Sequence, residues 1–172
     1  SNLQTGQAEY VKCAKMDKTG LAYLRASASM PFVSRISEIG GKKYLDGGIC
    51  DSIPLRAFQK MGYERCVVVQ TRAAGYQKKP NKLGWLAPLV YRKYPKFAAA
   101  IKNRHIMYNN ELEQIEQAQK NGAAFVIRPS KNVKIHHMET DKKVLQAVYD
   151  LGRGDAIKLL PKLKKFLKEA KK

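Results

Sequence analysis

The stretch Pro-Leu-Arg-Ala-Phe-Gln-Lys-Met-Gly-Tyr-Glu-Arg-Cys-Val-Val-Val, at residues 54–69, predicts the fold class. Proline is tolerated in the first turn of a helix, and Leu55, Phe58 and Met61 recur at helical spacing. Gly62 can end the helix, because glycine readily adopts the left-handed conformation that follows a last turn. This stretch therefore begins with a short helix, and the side chain of Asp51 or Ser52 is expected to cap it.

A strand follows this helix. Cys66-Val67-Val68-Val69 is rich in β-branched residues and lacks polar alternation, which predicts a strand covered on both faces. A second unit of the same kind follows, with a helix over residues 96–119, a stop at Asn121-Gly122 and a strand over residues 123–127. Two helix-to-strand units predict an α/β fold with a layered sheet and flanking helices.

Shorter elements are predicted before and between these units. Their signals are apolar runs for strands and helices, Gly-Gly for a turn, and proline for helix ends. The expected elements are a strand over 9–14, a helix end before Pro31, a turn at Gly40-Gly41, a brief strand over 43–45, and a short helix over 86–94.

The chain changes character after residue 135. Two apolar stripes at helical spacing, over residues 141–151 and 157–167, are separated by Leu-Gly-Arg-Gly-Asp at 151–155. This pattern predicts a carboxy-terminal helical hairpin, with Pro161 as a kink. We therefore expect an α/β part over residues 1–135 and a helical extension over residues 136–172.

Composition limits the class of protein. The chain has 172 residues, of which 44% are hydrophobic, enough to bury the core of one ordinary domain. No apolar run reaches the roughly 18 to 20 residues that a membrane-spanning helix needs. The odd count of three cysteines favours reduced thiols and a cytoplasmic location. Contact with the periphery of a membrane is a separate expectation from the basic charge described below.

The charge is strongly basic and uneven. The net charge is +19, and residues 65–110 hold ten basic residues and no acidic one. Such a field attracts polyanions, either an anionic membrane surface or nucleic acid, although a plain solvated face is equally compatible. Aromatic residues interleave with these cations and suit a membrane interface or base stacking. No recognised nucleic-acid motif is present, so no specific nucleic-acid partner is expected. The aromatic residues are Tyr76, Trp85, Tyr91, Tyr94 and Phe97.

One carboxylate is placed for chemistry. Asp46 follows the brief strand and precedes Gly47 and Gly48, where no side chain obstructs it. A carboxylate at the end of a strand can orient or deprotonate a partner. The triplet alone is also an ordinary turn signal. Its neighbours decide between the two interpretations.

Two blocks surround the triplet. Ala26-Ser27-Ala28-Ser29-Met30-Pro31-Phe32 comes first, and Tyr44-Leu45-Asp46-Gly47-Gly48-Ile49-Cys50-Asp51-Ser52-Ile53-Pro54 follows after a short gap. Their order resembles the carboxy-terminal half of the patatin-like phospholipase family. The resemblance is strong from about residue 26 to residue 72. Residues 69–79 and the carboxy-terminal helices also look like bacterial members.

The resemblance implies an activity and a site. Members of this family are lipid acyl hydrolases in which a serine and an aspartate form a catalytic dyad without a histidine. By position in the motif, Asp46 is the catalytic base, and Gly47 and Gly48 support it. The substrate would be a lipid or another carboxylic ester, and no cofactor or metal is implied.

The sequence departs from the family in one respect. No Gly-x-Ser-x-Gly occurs in residues 1–172, and no glycine-rich amino-terminal loop is present. Ser27 and Ser29 lie among alanines, which does not encode a nucleophile elbow. We expect a truncated protein whose nucleophile lies upstream, so that this chain alone is inactive. The alternative is a non-catalytic lipid- or polyanion-binding module.

Other polar residues are given structural roles. His136, His137, Glu139 and Asp141 are potential metal ligands, but a surface loop is the preferred interpretation, because no cysteine pair accompanies them. His105 is expected on a helix surface.

Overall fold

The computed structural model describes residues 1–15, 17–133, 135 and 139–169. These residues form a mixed α/β structure, which confirms the predicted fold class. The helices are α1 (Lys18–Ser27), α2 (Leu55–Lys60), α3 (Ala87–Val90), α4 (Pro95–Lys120) and α5 (Lys142–Glu169). The strands are β1 (Ser37–Ile39), β2 (Lys42–Tyr44), β3 (Cys66–Val69) and β4 (Ala124–Ile127). Two 3₁₀ turns lie at Gly47–Ile49 and Gly84–Leu86.

The described strands form two small sheets. β1 and β2 are antiparallel, and Ile39 pairs with Lys42 across Gly40 and Gly41, whose φ angles are 57° and 74°. Two consecutive positive φ angles are typical of a type I′ hairpin, which favours glycine at both positions. The turn predicted at Gly40-Gly41 is confirmed.

β3 and β4 form the second sheet. They are parallel and in register from Cys66 opposite Ala124 to Val69 opposite Ile127. The two predicted helix-to-strand units thus supply neighbouring strands. The predicted cover on both faces of β3 is wrong for the described structure, because Val69 is 69% exposed and Val67 is 41% exposed.

The chain divides into two compact units. The first contains Ser1–Pro54 and Lys78–Glu111, and the second contains Leu55–Gln77 and Leu112–Lys172. Helix α4 contributes residues to both units. The boundary predicted after residue 135 stays a prediction.

The core of the first unit surrounds the strand end that precedes Asp46. Leu45 is completely buried, and Ile49 is 5% exposed, so the residues on both sides of the Asp-Gly-Gly triplet are anchored. The amino-terminal loop approaches so closely that a Cβ at Gly6 would stand 2.7 Å from the backbone of Lys96. The other buried members of this core are Leu3, Ala87, Tyr91, Phe97, Ala98 and Ile101.

The second unit contains the carboxy-terminal helix. The predicted hairpin is wrong, because α5 is a single helix that includes the Gly-rich stretch 151–155 and Pro161. The buried carboxylate of Asp155 accepts a hydrogen bond from the backbone N–H of Ser130 at 2.8 Å, so this part of the helix contacts the segment after β4. Phe166 lies 5.6 Å from Phe125 of β4, ring centroid to ring centroid. Tertiary contacts therefore offset the low helix propensity of glycine and proline.

The amino-terminal strand predicted over residues 9–14 is also wrong. Residues 9–14 are exposed and form no strand. Glu9 is held by side-chain hydrogen bonds and not by strand pairing. Its carboxylate accepts from the Tyr44 hydroxyl at 2.6 Å and from the Asn2 amide at 2.7 Å. For α1 the sequence indicated only a helix end before Pro31. Asp17 caps this helix by accepting a hydrogen bond from the N–H of Gly20.

No helix in the described part of the chain combines the length and apolar character needed to cross a bilayer.

Candidate active site

Asp46 occupies the bend between β2 and the first 3₁₀ turn. Its Oδ1 accepts a hydrogen bond from the backbone N–H of Gly48 at 2.7 Å. Among the described residues, no hydrogen bond to Oδ2 is found, and the residue is half-buried. One carboxylate oxygen thus fixes the orientation of the side chain and leaves the other open to a proton donor.

The two sequence blocks of the resemblance meet at this residue. The backbone N–H of Asp46 donates to the carbonyl oxygen of Ser29 at 2.8 Å. On the other side, the hydroxyl of Ser1 donates to the carbonyl oxygen of Asp46 at 2.8 Å. The backbone of Asp46 is therefore held from two separate segments.

Gly47 and Gly48 provide space rather than unusual backbone angles. Neither has a positive φ. A Cβ at position 48 would stand 3.1 Å from Asp46 Oδ1 and 3.4 Å from a guanidinium nitrogen of Arg104. A Cβ at position 47 would stand 3.2 Å from the Ser27 hydroxyl. Any side chain at either position would crowd the loop that carries the carboxylate.

Two donors hold the far side of this loop. The Nε–H of Arg104 donates to the carbonyl oxygen of Gly48 at 2.6 Å, and the Ser52 hydroxyl donates to the same oxygen at 2.6 Å. Arg104 lies on α4, far away in sequence. No pattern in the sequence connects it with the triplet, and sequence analysis missed it.

We expect Arg104→Met to loosen the loop without removing the apolar part of the side chain. Loss of a hydrogen bond from a charged donor should lower the free energy of unfolding by about 1–2 kcal/mol. Lys102→Met, an exposed substitution on the same helix, is the matched control. Urea unfolding followed by circular dichroism measures both, and equal stabilities of the two variants would contradict the role of Arg104.

A second carboxylate, Glu111, supports the segment that follows the triplet. Its two oxygens accept hydrogen bonds from the backbone N–H groups of Ser52 and Ile53 at 3.0 and 3.1 Å. Burial, reinforced by the neighbouring carboxyl of Asp51, raises the pKa of Glu111 to about 7. The sequence alone did not indicate this residue, although Glu111 is the first acidic residue after the acid-free stretch.

The predicted capping of α2 by Asp51 or Ser52 is wrong. The carboxylate of Asp51 accepts a hydrogen bond from the hydroxyl of Tyr10. This contact and burial raise the pKa of the Tyr10 hydroxyl, with burial as the larger cause. The hydroxyl of Ser52 donates its hydrogen bond to the carbonyl oxygen of Gly48 instead. Both side chains are thus engaged within the first unit.

The serines near Asp46 have structural contacts. Ser29 is buried, and its hydroxyl donates to the carbonyl oxygen of Arg25 at 2.8 Å, as expected for a side chain at a helix end. Ser27 lies beside Gly47. Neither serine lies on a nucleophile elbow, in agreement with the sequence, which gave neither of them a catalytic role.

The remaining candidates lie elsewhere. His105 is on α4, and its Nδ1 lies 3.1 Å from the carbonyl oxygen of Lys102. His136 and His137 lie outside the described residues. Of their predicted neighbours, Glu139 accepts from the backbone N–H of Asp141, and no group of three metal-ligating side chains is found in the part of the chain that the structure describes.

Two family models match the chain. The model described as Patatin-like phospholipase matches residues 5–58, which include Asp46 and both sequence blocks up to Pro54. Residues 5–58 are thus similar to the patatin-like phospholipase family. This match confirms the resemblance and assigns the segment to a family of lipid hydrolases, although it covers less than half of the chain.

The second model is described as Domain of unknown function (DUF6363), and it matches residues 94–168. It begins at the start of α4 and extends over most of α5. Arg104 and Glu111, which hold the patatin-like loop, therefore lie in the part of the chain that matches this second model. No curated protein matches the chain.

Proposed function

We propose that this chain supplies the aspartate of a serine-dependent lipid acyl hydrolase. Asp46 is the base, and the serine nucleophile belongs to residues outside this chain. The substrate is a carboxylic ester of a lipid. The location is cytoplasmic, on the basis of the free cysteines, with contact to the periphery of a membrane.

The chemistry requires one proton acceptor at Asp46. Oδ2 takes the proton of the serine hydroxyl as its oxygen bonds to the ester carbonyl carbon. The departing alcohol takes that proton when the ester bond breaks, which leaves an acyl-enzyme. Water then attacks the acyl carbon and transfers a proton to Asp46, and the serine regains its proton as the fatty acid leaves.

The observation that carries this proposal is the asymmetric environment of the Asp46 carboxylate. Gly48 fixes Oδ1, and Oδ2 has no hydrogen bond among the described residues. The contact of Oδ1 with the N–H of Gly48 is one that a turn aspartate also makes, so the proposal rests on the second oxygen, Oδ2, which stays available to accept a proton. The family match over residues 5–58 supports the same assignment.

A hydrolysis assay tests the proposal. We expect this chain alone to give no turnover of p-nitrophenyl butyrate above the buffer rate, because residues 1–172 contain no Gly-x-Ser-x-Gly. A longer protein in which such a segment precedes this chain should hydrolyse the ester. Robust, Asp46-dependent turnover by the chain alone would contradict the missing nucleophile.

A second candidate function is a lipid- or polyanion-binding module without turnover. The net charge of +19 favours it, together with the absence of a nucleophile motif from these residues. The sequence that precedes the chain distinguishes the two candidates. An intact Gly-x-Ser-x-Gly and a glycine-rich loop would favour the hydrolase, and their absence would favour the binding module.

A further inference from the structure

An exposed apolar face lies on the segment before α4. It consists of Leu83, Trp85, Leu89 and Val90, which we call the Trp85 face. Trp85 is 73% exposed and Leu89 is 71% exposed, while Val90 and Leu83 are 54% and 49% exposed. Large apolar side chains with this exposure, close together in one segment, are typical of an interaction surface.

The segment is firmly anchored despite this exposure. Its opposite side is buried in the core of the first unit through Gly84, Ala87 and Tyr91, at spacings of three and four residues. The 3₁₀ turn runs directly into α3, so that Trp85 and Leu89, four residues apart, share the outer side. The exposed side chains are therefore presented by a fixed backbone.

Of the five aromatic residues that lie among the cations in the sequence, Trp85 is the one whose side chain is largely exposed to solvent. Tyr91 and Phe97 are buried in the core, and Tyr94 is packed against it. The predicted interleaved aromatic surface is wrong for these three residues, because their spacing serves the core. The part of the predicted membrane interface that is exposed is therefore the Trp85 face.

Cations flank this face. Within the first unit, residues 78–110 contain no acidic residue. Exposed basic side chains stand on both sides of the Trp85 face in the sequence. They are Lys79, Lys82, Arg92, Lys93 and Lys96.

We propose that the Trp85 face docks the chain onto an anionic lipid bilayer. Tryptophan is favoured at the headgroup level, Leu89 and Val90 can enter the acyl boundary, and the flanking cations attract the negative headgroups. Nucleic acid fits less well, because it is bound by cations and stacked rings and offers no apolar phase for Leu83, Leu89 and Val90.

This inference goes beyond the proposed hydrolysis. A hydrolase would use the face to reach substrate in a membrane, and a binding module without turnover would use it as well. Membrane binding and ester turnover are measured separately, so one proposal can fail while the other holds.

Trp85 is also the probe, because it is the one tryptophan of the chain. The chain is titrated with phosphatidylcholine vesicles, with and without phosphatidylglycerol, at low and high salt. We expect a blue shift of the Trp85 emission and quenching by acyl-brominated lipid on the anionic vesicles. High salt should weaken this binding by about tenfold or more, since several exposed cations contribute.

Leu89→Ser tests the apolar contact and retains the probe. It should weaken vesicle binding by about fivefold or more, because the lost apolar burial is that of one large side chain. The control is Val33→Ser, at another exposed apolar position of the same unit, 77% exposed, which should bind as the unsubstituted chain does. Circular dichroism should show that both variants are folded.

Four results would overturn the proposal. The first is an absent blue shift on anionic vesicles, and the second is equal loss of binding in Leu89→Ser and Val33→Ser. The third is binding that survives Leu89→Ser but is lost in Lys164→Gln with Lys165→Gln, which would assign the contact to α5. The fourth is displacement of the chain from vesicles by a single-stranded oligonucleotide whose affinity for Leu89→Ser equals its affinity for the unsubstituted chain. This result would favour nucleic acid as the partner.

Discussion

Asp46→Asn should lower kcat of the longer protein that the proposal requires by about 10²–10⁴-fold, the range typical of a removed general base. The amide nitrogen and oxygen of asparagine retain the shape of the side chain, and Oδ1 can still accept from the N–H of Gly48. The substituted side chain has no basic oxygen to take the serine proton. The loss should therefore fall on kcat, with little change in the free energy of unfolding.

Asp150→Asn is the matched control. It removes one carboxylate from an exposed position on α5, so it should leave both the turnover and the stability unchanged. Initial rates with p-nitrophenyl butyrate and urea unfolding give the two readouts. A turnover of Asp46→Asn within threefold of the parent protein would contradict the assignment of Asp46 as the base, and equal loss in both variants would point to a general charge effect.

The stability of the chain should depend on pH through Glu111. Burial, reinforced by Asp51, raises the pKa of this carboxyl to about 7 in the folded state, from an ordinary value of 4.5. Below pH 4.5 both states hold the proton and the stabilisation is complete. Between pH 4.5 and 7 the unfolded chain releases the proton while the folded chain retains it, so the free energy of unfolding falls by roughly 3 kcal/mol.

Glu111→Gln should remove this dependence, because glutamine does not titrate. Its absolute stability can be lower, since it cannot accept from both backbone N–H groups of Ser52 and Ile53. The measured quantity is therefore the change in the free energy of unfolding between pH 5 and pH 8, obtained from urea unfolding. Glu113→Gln, at an exposed position on the same helix, should keep the pH dependence of the parent chain. Parallel curves for Glu111→Gln and the parent chain would show that another group causes the change.

The site could be predicted from the sequence only in part. Asp46, Gly47 and Gly48 are consecutive, and the block at residues 26–32 lies close before them, so a linear motif contains them all. Arg104 and Glu111 contact this motif from α4, more than fifty residues away. A single sequence holds no periodicity that relates such distant positions, and only the packed chain shows that they meet.

The fold was predicted where local signals are strong. The helix of α4 and the strands β3 and β4 follow from apolar periodicity and from Gly122 as a stop. The prediction failed at residues 151–155, where two glycines indicated a turn, because these residues lie inside α5, and Asp155 contacts the backbone N–H of Ser130 from there. A turn signal expresses a local preference of about 1 kcal/mol per glycine, and tertiary contacts exceed it.

By itself, the sequence determined the α/β class, the patatin-like motif around Asp46 and the basic character of the chain. These properties follow from residue order, spacing and composition, all of which are present in the amino-acid sequence. Only the tertiary structure decided that Gly48 holds one carboxylate oxygen of Asp46, which distant residues hold its loop, and which aromatic side chain is exposed beside the cations. Those properties depend on distances and burial, which arise when segments far apart in sequence pack against one another.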